Sequence, residues 1–139
     1  IEVEKDFIES FYYELKDSFK LDFYLNPDEK TIDYYISESQ NPVIIKNLIT
    51  RSPISKRTEN NLKIYTPLLE KILVDILTES KLFYFYHGAE LMHVFENVLK
   101  NYTINYTKLY SYAKRRDREQ EIKQFMSNNT PLLVKKIIE

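Results

Sequence analysis

One glycine, Gly88, stands among 139 residues. Glycine reaches positive φ without steric cost, so a chain holding a single one is poorly equipped for glycine-rich phosphate loops, dinucleotide fingerprints or serial tight hairpins. Cysteine is absent as well, which removes thiol nucleophiles, thiolate zinc sites and disulfide frameworks. That usage fits a reducing compartment, and an intracellular protein is expected. With 43% hydrophobic and 14% aromatic residues the chain is too apolar for disorder. No uncharged apolar run approaches the roughly 20 residues of a membrane span. The length suits one domain, expected over residues 1–139.

All five prolines, Pro27, Pro42, Pro53, Pro67 and Pro131, follow Asn, Ser or Thr, the order in which a cap precedes the first turn of a helix. The chain therefore reads as helices opened by proline. Val3, Phe7, Ile8, Phe11, Tyr12, Leu15 and Phe19 recur at three- and four-residue spacing and predict a helix over 3–19. On a helical projection these positions sweep about 180°, wider than the ~100° stripe of a core-facing helix, and the surplus is available to a partner. Residues 21–25 read as a short extended passage, 27–39 as a second helix, and 40–61 as a connection holding one helical turn near 43–49.

From Leu62 onward Tyr65, Leu69, Ile72, Leu73, Ile76, Leu77 and Phe83 keep helical period, with Thr66-Pro67 restarting or kinking the helix. Further helices are predicted over 89–100, over 106–127 with Asn105 as cap, and after Thr130-Pro131. The fold expected is all-α, a single-domain bundle of about five to seven helices.

Little in the chain points to chemistry. His87 and His93 are six residues apart, which sets them on different sides of a helix, so no metal site is expected. Neighbouring acids such as Asp28 and Glu29, or Glu119 and Glu121, are explained by helix capping or a solvated face. No nucleophile has a base beside it, so no enzymatic activity and no cofactor are expected. The densest basic run, Lys114, Arg115, Arg116 and Arg118, is followed by Glu119 and Glu121, which can neutralise it along an exposed helix face. With a net charge of -1 no global field draws nucleic acid or an anionic membrane, and neither is expected as a partner.

Tyr86, Leu91, Met92, Val94 and Phe95, around Gly88, resemble the signature helix of the MRG domain of mortality-factor-related chromatin proteins. The passage from Asp22, Phe23, Tyr24, Leu25 and Pro27 to Ile32 is similar to the aromatic-leucine-proline stretch that opens the second helix of that family. His93 stands where the family has arginine. The resemblance implies a non-catalytic adaptor of histone acetyltransferase or deacetylase complexes in the nucleus, gripping apolar peptide segments of partner subunits. It implies Phe7, Ile8 and Phe11 of the first helix as the groove, with His93 nearby. A second expectation, from another class, is a virus-type Bcl-2-like helical bundle that binds cell-death factors through a groove between helices.

Overall fold

Strands alternate with helices in the N-terminal third of the chain and form a hairpin in its middle. The computed structural model describes the backbone of residues 1–138 and the side chains of residues 1–129. Among them are five strands in two sheets as well as six helices, which corrects the all-α expectation to a mixed α/β fold. The chain forms two compact units, Ile1–Ile49 and Thr50–Glu139.

The first unit runs β1 (Glu2–Val3), α1 (Ile8–Ser18), β2 (Asp22–Leu25), α2 (Glu29–Thr31, continued by one π turn over Ile32–Ile36) and β3 (Pro42–Asn47). Its sheet has the order β1-β3-β2 and is parallel throughout, with Val3 opposite Asn47 and Leu25 opposite Ile45. The short helix over 43–49 is therefore replaced by the central strand. Val43, Ile44 and Ile45 form a β-branched run, the pattern of a strand with neighbours on both sides. Pro42 is tolerated as its first residue because only there can a ladder N–H be missing. Asn26 closes β2 at φ 42°, and its Oδ1 accepts the N–H of Asn47 at 3.1 Å, tying the ends of β2 and β3 together. Asp28, not Asn26, caps α2, its carboxylate accepting the Thr31 N–H at 2.8 Å. That bond holds the Asp28 pKa below its ordinary value.

The second unit opens with an antiparallel hairpin, β4 (Ile54–Glu59) and β5 (Leu62–Pro67). The turn is Asn60-Asn61, at φ 48° and 63°. Asparagine tolerates the left-handed region because its short polar side chain bonds locally, so it supplies the primed turn that glycine usually makes. The expected disfavour of hairpins, and the helix expected from Leu62, are both overturned by this pair. Across the strands the Ser55 and Thr66 hydroxyls meet at 2.8 Å in register.

Four helices follow: α3 (Leu69–Thr78), α4 (Ala89–Asn101), α5 (Tyr106–Arg115) and α6 (Glu119–Ile138). Gly88 precedes α4 at φ 53°. Asn105 caps α5 as expected, accepting the Lys108 N–H at 3.0 Å. Asp117 at φ 56° breaks the expected 106–127 helix into α5 and α6, and α6 runs through Pro131 where a separate closing helix was expected. Leu73, Val74, Phe95, Leu109, Tyr112, Ala113 and Ile122 are buried at its centre. The Phe95 ring packs on Phe125 with centroids 4.8 Å apart.

Candidate functional site

The residues expected to form a partner groove do not share one environment. Phe7 sits ahead of α1 and is 61% exposed, Ile8 is core at 4%, and Phe11 is half-buried. Because Val3 lies in β1 and Phe7 is the N-cap, the apolar positions within α1 are Ile8, Phe11, Tyr12 and Leu15. These sweep only about 100°, the ordinary width of a stripe that faces a core. His93 lies on α4 of the other unit, exposed, with its Nδ1 3.6 Å from Glu96 Oε2.

The more developed polar architecture belongs to the second unit. Asp75 on α3 is its hub: it accepts from the Lys71 ammonium, from the Tyr112 hydroxyl at 2.8 Å and from Arg116 Nη1 at 3.0 Å. Arg116 also donates to Glu79 Oε1 at 2.5 Å and to the Thr78 hydroxyl at 3.3 Å. Glu70 Oε1 accepts the Asn105 N–H at 2.8 Å, fixing the start of α5 against α3. The side chains of Lys71 and Arg116 are only 2% and 13% exposed, and burial of a charge is tolerated where it is paired and hydrogen-bonded like this. Burial, with the Asp75 charge beside it, raises the Tyr112 pKa. Burial alone would lower that of Arg116, but hydrogen bonds to Tyr112 and Glu79 and the Asp75 charge outweigh it, and the guanidinium is held above its usual value. The network locks α5 onto α3.

One face of α5 so fixed borders a cleft of about 440 Å³. Thr107, Lys108, Ser111 and Arg115 line it from the helix, and Arg51 and Ser52 from the segment before β4. Pro53, Ile54 and Leu68 give it an apolar wall. Among the described residues no carboxylate lines it. Arg115 reaches the Thr50 hydroxyl at 3.4 Å, and Arg51 holds a φ of 55°.

The basic run of the sequence thus divides, with Lys114 exposed and its charge helping to lower the pKa of Glu119. Arg116 is buried in the Asp75 network, Arg118 pairs with Glu121 at 3.2 Å on the exposed face, and Arg115 turns to the cleft. Arg118 with Glu121, and Lys114 with Glu119, follow the expected neutralisation, whereas Arg115 and Arg116 do not. The signal for the cleft was the helical spacing of Lys108, Ser111 and Arg115; nothing in the sequence tied Arg51 to them.

The net charge of -1 also conceals a division. Residues 1–49 carry 5 basic and 11 acidic side chains, a balance of -6, whereas residues 50–139 carry 15 and 10, a balance of +5. Among the described residues no three His, Asp or Glu side chains are placed to hold a metal ion, and no helix is long and apolar enough to cross a membrane.

A family model described as a family of unknown function, DUF6577, matches residues 1–132. The chain belongs to that family. The match runs across the acidic unit and nearly all of the basic one. No curated protein and no solved structure matches the chain.

Proposed function

We propose that this chain is a non-catalytic protein-interaction adaptor whose acidic first unit receives a basic segment with apolar side chains from a partner protein. One observation carries this reading: in a unit of 49 residues only Ile8 and Ile45 are buried, while Phe7, Tyr13, Phe19, Tyr34 and Tyr35 lie exposed. Parallel sheets ordinarily have both faces covered. Here the strand connections supply α1, which packs on β2 and β3, and the short α2 with its π turn. Exposed aromatic side chains are the anchors that dominate protein interfaces. The balance of -6 favours a partner rich in Lys and Arg.

The narrower reading, an MRG-like subunit of histone acetyltransferase or deacetylase complexes in the nucleus, rests on the resemblance around Tyr86–Phe95. The adaptor role is proposed here on the exposed aromatic side chains, which do not depend on that resemblance. The Bcl-2-like alternative depended on an all-helical bundle and has no observation in its favour.

The test is photo-crosslinking. A benzophenone amino acid is placed at Phe7 or Tyr34, with Tyr65 of the hairpin as control, and native extract is irradiated. The expected adducts at Phe7 and Tyr34 carry basic, apolar peptides, and under the narrower reading their parent proteins are chromatin-complex subunits. Adducts at neither position, or adducts equally strong at Tyr65, would remove the proposal.

A further inference from the structure

The cleft beside α5 is unused by the adaptor reading and lies wholly in the second unit. Three cations border this one concave surface. Among the described residues Lys71, Arg116, Arg118, Lys123 and Arg57 each pair with a carboxylate. Arg51, Lys108 and Arg115 pair with none, although all three border the same concave surface. Like charges gathered without a counter-charge repel one another, at an energy set by how well water screens them. An anion in the cleft would relieve that repulsion.

The surrounding groups narrow the anion's identity. Two guanidinium forks and an ammonium supply the donors that phosphate oxygens accept, Arg in bidentate geometry and Lys as a point charge. The Thr107 and Ser111 hydroxyls add neutral donors on the same face of α5. Thr107 and Lys108 are in the first turn of that helix, where its dipole is positive. The size of about 440 Å³ lies in the range of small-ligand sites. The Pro53, Ile54 and Leu68 wall offers an apolar surface to the remainder of the ligand. We infer that this cleft binds a small phosphate monoester carrying a flat apolar group, the chemistry of a nucleoside monophosphate, with Arg51, Lys108 and Arg115 on the phosphate and the apolar wall against the base.

The helix that carries most of the polar lining is held before the ligand arrives. The Asp75 network fixes α5 through Tyr112, which itself lines the cleft between Ser111 and Arg115, and through Arg116, next to Arg115. A preorganised site forfeits less entropy on binding. Lys108 and Arg115 are exposed, so replacing them tests the site without disturbing the core.

The experiment is a calorimetric titration of the whole chain with adenosine monophosphate, adenosine, inorganic phosphate and a twelve-nucleotide single-stranded DNA. Saturable binding of adenosine monophosphate, weaker binding of phosphate and none of adenosine is expected. Lys108→Gln and Arg115→Gln should each weaken the monophosphate about tenfold or more, the scale of one lost charge-assisted contact, with the melting temperature unchanged. Adenosine binding as tightly as its monophosphate, or no saturable binding of either phosphate compound, would overturn the inference. Binding of the oligonucleotide alone, with a steep salt dependence, would overturn it in favour of a nucleic-acid surface.

Discussion

Asp75 shows how much one side chain can organise. It answers three donors from two helices, and its removal leaves the Lys71 and Arg116 charges buried without their shared counter-ion. Breaking a buried pair from one side costs about 3 to 5 kcal/mol. Asp75→Ala should therefore lower the unfolding free energy by about 3 kcal/mol or more in urea, and a loss under about 1 kcal/mol would show the network to be dispensable. Tyr112 adds a pH signature. Its folded-state pKa is raised, first by burial and then by Asp75. The stability it contributes is complete below the unfolded tyrosine value of about 10 and is lost as pH rises through the higher folded value. Thermal melts recorded from neutral into alkaline solution should fall less steeply for Tyr112→Phe than for the parent protein.

At the scale of the element, the helices of the second unit were the legible part. Leu91, Met92 and Phe95 predicted α4 within a residue of its observed end, and Asn105 was read correctly as the α5 cap. The strands were missed for two physical reasons. The Asn-, Ser- and Thr-Pro pairs carry the order of a helix start, yet the residue before proline is pushed to extended backbone, and Pro42 and Pro67 begin and end strands. The scarcity of glycine disfavours serial tight hairpins, but Asn60 and Asn61 adopt positive φ themselves. Asn61→Val, a β-branched residue forced to that φ, should destabilise the protein by about 1 to 2 kcal/mol, whereas Asn61→Gly should not. Chemical denaturation of both variants checks this. The boundary of α1 matters equally. Starting at Ile8 instead of Val3, it divides neighbouring residues between core and surface. Ile8→Ala should cost about 2 to 5 kcal/mol and Phe7→Ala only about 0.5 kcal/mol. Equal melting shifts for the two would show that both are core.

Over the whole molecule, the averaged charge hid what each unit carries. A balance of -6 in the first 49 residues and +5 in the rest was countable from the start, but only once the boundary at Ile49 was known did the count acquire a meaning. The cleft was less legible, because it joins Arg51 to residues more than fifty positions later on α5 through a hairpin that the sequence reading had taken for a connection and a helix. Two surfaces of opposite charge are proposed to serve two ligands, a basic apolar protein segment and a phosphate monoester. Backbone amide chemical shifts of the whole isotopically labelled chain, followed during titration with adenosine monophosphate and separately with a lysine-rich apolar peptide, test this claim directly. The monophosphate is expected to move the amides of Ser52, Thr107, Lys108 and Ser111, and the peptide those around Phe7 and Tyr34. If both ligands shift the same amides, or the monophosphate shifts none of those around the cleft, the claim is contradicted.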